Sequence, residues 1–155
     1  MHLDGSSTLE SILTAAILAI AVPAILRRVS RWNDLARRFP ATRDVGAAGV
    51  SFWHVILSVN GVSIPSRVLV TASGVRLSPT LIGALLFAEV FVPWDDLRIG
   101  SAHGQTRLLP AGQASEVLIR STRVGSTLQE AYARHMLTTS STKDTAYRTM
   151  ASSTR

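Results

Sequence analysis

Two adjacent carboxylates, Asp95 and Asp96, end the apolar stretch EVFVPWDD and are the first place to look for chemistry. Paired carboxylates perform acid–base catalysis or hold a hard cation only when both aim at one point. Along a strand successive side chains face opposite sides, so these two diverge unless a bulge intervenes. Pro93 removes a backbone donor and marks an edge or bulge. Trp94 then fills the core at the end of the strand, and one of the aspartates caps a turn or pairs with an arginine. The expected role of the pair is structural. The four histidines, 2, 54, 103 and 135, share no metal-ligand spacing, and there is no cysteine to complete a zinc site or act as a thiolate. His54 reads as a sandwich residue and His135 as part of a helix stripe. No glycine-rich phosphate loop, nucleophile elbow or HExxH motif is present. The expectation is a non-enzyme with no catalytic residues, metal, cofactor or small-molecule substrate.

Composition narrows the elements that carry these residues. The chain has 155 residues, 46% of them hydrophobic and only 17% charged, enough for one domain with an appendage. Its net charge of +6 is unevenly placed. Residues 27–43 hold six arginines (27, 28, 31, 37, 38 and 43) against Asp34, and the rest of the chain is within one charge of neutral. Nucleic-acid binding is therefore not expected, since no strand interleaves aromatic with basic residues. Arg76, Arg98, Arg107, Arg120 and Arg123 form a basic patch only if the fold gathers them on one face.

Between Glu10 and Arg27 lie sixteen uncharged residues, SILTAAILAIAVPAIL, with no polar face at helical period. A helix of that length spans roughly 24 Å, slightly less than a ~30 Å hydrocarbon core. The expectation is a transmembrane anchor over 1–28, with Arg27, Arg28, Arg31 and Trp32 at the membrane interface. The arginines follow the apolar run, so the N-terminus lies outside and the remainder is cytoplasmic at the inner membrane. The leader has no Lys or Arg, which is unlike a secretory signal. Gly5 to Glu10 also resembles a type IV pilin or pseudopilin leader, with glutamate five residues after the glycine. That resemblance implies, as an alternative, a structural subunit with an apolar packing helix.

A basic juxtamembrane helix and linker occupies 29–46, and Pro40 stops the helix. A β domain follows over 47–138. SFWHVILSV, ending in the turn signal Asn60-Gly61, is one strand; SRVLVTA and VRLS form a hairpin around Ser73-Gly74. Residues 79–83 read as a loop and ALLFAEVFVPW as one or two strands. A further hairpin joins 106–109 to 115–121. After Gly125 the period becomes helical, with Leu128, Ala131, Tyr132, His135 and Met136 on one stripe and a capping-box start at Ser126 or Thr127. The Ser/Thr-rich run 139–155 is expected to lack order.

The fold class is thus mainly β: a single transmembrane helix, then a small sandwich or barrel capped by a C-terminal amphipathic helix, the element order of the pleckstrin-homology-like superfold. RWNDLARRFP, then GVRL and VPWDDL, resemble in order and spacing the motifs of a family of small bacterial membrane-anchored proteins of unknown function with a pleckstrin-homology- or GRAM-like domain. Pro93 and Trp94 carry the strand motif of that resemblance. It implies a non-catalytic binding or adaptor module whose partners are the membrane and a protein or a lipid headgroup.

Overall fold

A computed structural model describes residues 5–41, 48–80, 82–112 and 115–152, without the side chains of 5–10, 16, 18–20, 26–27, 82 and 141–152. His2, Arg43 and Gln113 fall outside the described residues.

Two helices come first, α1 (Gly5–Ser30) and α2 (Trp32–Arg38). They meet at Arg31, whose φ of 52° breaks the helical path. The strands are β1 (Gly49–Val59), β2 (Val62–Thr71), β3 (Gly74–Pro79), β4 (Val90–Pro93), β5 (Leu97–Ala102), β6 (Gln105–Pro110) and β7 (Val117–Ile119). A short helix α3 (Ile82–Leu86) joins β3 to β4, in place of the expected loop and strand, and α4 (Thr122–Ser152) ends the chain. All seven strands form one antiparallel sheet in the order β4-β3-β2-β1-β7-β6-β5. The seven-stranded antiparallel sheet followed by a C-terminal helix agrees with the mainly β expectation.

The transmembrane anchor is not found. No helix among the described residues is long and apolar enough to cross a membrane. Glu10 and Arg27 confine the uncharged run of α1 to sixteen residues, and five alanines with Ser11, Thr14 and Pro23 dilute its hydropathy. The single-pass inner-membrane location, and the orientation derived from it, fall with the anchor. Ile12, Leu13, Ile17 and Ile25 of α1 are exposed.

Within the segment expected to be a juxtamembrane helix and linker, α2 packs into the core. Trp32, Leu35 and Phe39 recur at the spacing of one helix face, and all three are buried. The Trp32 indole packs at 5.9 Å from Phe87 and donates its Nε1–H to the Ala88 carbonyl at 2.7 Å. The chain leaving α2 then reaches the outer strand of the sheet. Phe91 N–H donates to the Phe39 carbonyl at 3.0 Å, and Pro40 bridges to Val90. These contacts cover part of the β4 edge and pair backbone groups that an edge strand otherwise leaves open. Trp32 is therefore not at a surface; Arg28 and Arg31 are exposed, and the Arg27 side chain is not among those described.

At the opposite end α4 closes the sheet through Val124, Leu128 and the half-buried Ala131 and Tyr132. It starts at Thr122, before the expected caps. Ser126 and Thr127 lie inside the helix and donate to the Arg123 carbonyl, while Ser121 accepts the Val124 N–H. Met136, expected on the stripe, is half exposed. The helix continues past 138 into the Ser/Thr-rich run. Hydroxyls of Thr138, Thr139 and Ser140 donate to carbonyls four residues back, so these side chains are accommodated on the helix.

Candidate functional site

Asp95 and Asp96 lie on a single turn of 3-10 helix, Trp94–Asp96, and not on a strand. Pro93 ends β4, and Trp94 folds back under the β2–β3 hairpin. Its indole N–H is shared between the carbonyls of Thr71 (3.2 Å) and Ala72 (3.0 Å), and its ring meets Tyr132 of α4 edge-on. The turn directs Asp95 to α4, where Oδ1 lies 2.9 Å from His135 Nε2. The Asp96 carbonyl accepts the Ala111 N–H at 2.7 Å. Asp95 thus pairs with a histidine, where a turn cap or an arginine partner was the expectation for one of the two aspartates, and Asp96 accepts through its backbone carbonyl. Among the described residues no three His, Asp or Glu side chains converge as a metal site would require.

Of the five arginines that form a patch only if the fold gathers them, two are engaged with other groups. Arg76 bonds the Ala41 carbonyl and approaches Glu89 at 4.0 Å, while Arg107 is paired with Glu116. Arg98 is exposed on β5. Arg120, on the link between β7 and α4, and Arg123, in the first turn of α4, line the same cleft, both exposed and with no acidic partner among the described residues.

These two arginines face the feature that sequence reasoning missed, an open edge of β1. β1 pairs with β2 along its whole length, but with β7 only at Leu57, Ser58 and Val59. Beyond Ile119 the chain turns into α4, so among the described residues the other edge of β1 has no strand partner from Gly49 to Ile56. A cleft of about 600 Å³ lies there, walled by β1 residues 50–56 on one side and by Arg120, Ser121, Arg123 and Val124 on the other.

A bulge shapes this edge. Between Phe52 and Val55, β1 carries one residue more than β2, and His54 takes up the irregularity at φ 57°. The bulge keeps Phe52 and Val55 both facing inward, the first packed against the core and the second buried in it. Trp53 is turned out at 60% exposure, with the Arg67 guanidinium 4.6 Å from its ring centroid and Arg67 Nε donating to Ser51 Oγ at 2.8 Å. Val50 and Ile56 are also substantially exposed. The cleft therefore offers unpaired backbone, apolar side chains and two cations, and no carboxylate lines it.

A second hollow of about 620 Å³ lies between the start of β1, the end of β2 and α4, and contains Glu130 beside Arg134 and His135. Arg134 is engaged there with Glu130 at 3.7 Å. Its charges are internally balanced, unlike those of the β1 cleft.

No protein-family model matches the chain, and no curated protein matches it. Among solved structures, that of Vav1 inhibited by an allosteric inhibitor is similar at 8% identity and a TM-score of 0.42. The match covers 69% of this chain and 34% of that one, so it spans about a third of the neighbour's length. A likeness of this size carries nothing about function.

Proposed function

We propose that this protein is a non-catalytic binding module that takes up a segment of a protein partner as an added strand along the open edge of β1. One observation carries the reading: β1 is eleven residues long and pairs with the three residues of β7 only, leaving an open edge of eight residues, of which seven, 50–56, border a cleft. Seven strand residues span roughly 23 Å, enough for a short extended peptide. Strand addition draws affinity from main-chain hydrogen bonds and specificity from alternate side chains. The exposed Trp53 and Ile56 supply apolar contacts beside that edge.

A library of displayed random dodecapeptides, selected on the full chain, tests this. Selected peptides should slow hydrogen exchange of amides within 50–56. Selection of no peptide, or protection confined to other segments, would reject strand addition at β1. Turnover of a substrate at enzyme-like rates by the full chain would reject the non-catalytic part of the reading.

A further inference from the structure

Resting on that reading, we infer that the segment accepted at β1 is acidic, with Asp or Glu side chains that meet Arg120 and Arg123. These two exposed guanidiniums stand on the wall opposite β1, and no Asp or Glu lines the cleft. Several other arginines are engaged: Arg38 with the Gly112 carbonyl, Arg76 with Ala41, Arg107 with Glu116, and Arg134 with Glu130. Arg67, just outside the cleft, is held by Ser51 and Trp53. Arg120 and Arg123 have no carboxylate partner among the described residues, and they are the arginines that line the cleft beside the unpaired strand backbone.

The location gives the charge a geometric consequence. In an added strand, side chains on one face recur about every 6.8 Å. A peptide lying on β1 presents one alternate set towards the wall that carries both arginines. Carboxylates at two such positions satisfy both cations, and the intervening side chains face away. A lysine-rich segment meets like charge at the same place, so the pair selects against basic partners as well as for acidic ones.

The library separates this inference from the reading beneath it. Peptides enriched in Asp and Glu, whose binding weakens as salt rises from 50 to 500 mM, support the inference. The double variant Arg120→Gln/Arg123→Gln should weaken a selected acidic peptide by about 3- to 10-fold, and leave its Asn/Gln-substituted counterpart unchanged. Selection of uncharged peptides that still protect 50–56 overturns the acidic preference and leaves strand addition standing. Selection of nothing overturns both. A single-stranded oligothymidylate is the control for a general polyanion site. If it displaces the peptide and loses affinity in the double variant, the preference is for polyanions and the acidic-segment assignment fails.

Discussion

At Gly125 α4 packs tightly against β6, and Gly125→Ala tests how the helix is seated. Gly125 is buried in the first turns of α4 and donates its N–H to the Ser121 carbonyl at 3.0 Å. A methyl group added there overlaps Thr106 Oγ1 of β6 and meets Thr106 Cβ at 3.3 Å. Thr106 is 6% exposed and β-branched, so its side chain has little freedom to turn away. Overpacking of this kind costs about 1–3 kcal/mol, and exchanging glycine for alanine within a helix returns about 1 kcal/mol. The expected net loss is ~1 kcal/mol, which for a chain of this size lowers Tm by about 2–4 °C. The double variant Gly125→Ala/Thr106→Ala removes the obstructing atoms and should be more stable than the two single effects sum to, by at least ~1 kcal/mol. Thermal and urea unfolding of the four species, followed by circular dichroism, measures the coupling. A Gly125→Ala chain more stable than the original, or additivity within about 0.5 kcal/mol, would refute this seating of α4 on β6. Arg123 lies two residues from the contact, so the arginine wall of the cleft would lose its placement too.

Four further substitutions follow from the packing. Trp94→Ala should lose about 3–5 kcal/mol by urea unfolding, through lost burial and two carbonyls deprived of a donor, whereas Asp95→Ala beside it should lose under ~1 kcal/mol because Asp95 is 80% exposed. Comparable losses would mean that the acidic turn contributes more than an exposed pair with His135. Trp32→Ala should cost about 3–5 kcal/mol and unfold the whole domain in one transition; a separate early loss of α2 would show that this helix is not part of the core. Gly61→Ala should cost about 1 kcal/mol from backbone strain alone, since φ is 81° and nothing lies within 4 Å of the added methyl. Unchanged stability would mean that the β1–β2 turn adopts another conformation.

Strands with a local signature were legible from sequence. Asn60-Gly61 is the β1–β2 turn, with both residues at positive φ, and Ser73 sits in the β2–β3 turn. The α4 stripe was legible through Leu128 and Tyr132, although Ser121 rather than Ser126 or Thr127 begins the helix. What failed was the meaning of apolar residues beside charge. Trp32, Leu35 and Phe39 lie among five arginines, and the arginines pointed to a membrane border while the apolar spacing pointed to a core. Helix geometry reconciles the two, because a seven-residue helix can bury one face while its arginines occupy the other.

The candidate cleft was harder to foresee, because it arises from a mismatch between elements distant in sequence. β1 reads correctly as a long strand and 115–121 as a shorter one. That they share only three residue pairs depends on where α4 begins, and α4 begins early because Ser121 caps it. The sequence of β1 contains the consequence without revealing the cause: Trp53 and His54 break the strand's alternation, which reads as noise until the bulge accounts for it. Arg120 and Arg123, three residues apart, likewise look like scattered charge. They become a wall only because the strand ends before the first arginine and the helix starts before the second. Lengthening β7 by replacing Arg120-Ser121 with Val-Thr should extend its pairing along β1 and close the cleft. Amides of 55 and 56 should then exchange more slowly in the free protein, and selected peptides should no longer bind. Undiminished binding in that variant would place the peptide elsewhere and remove the open edge from the account.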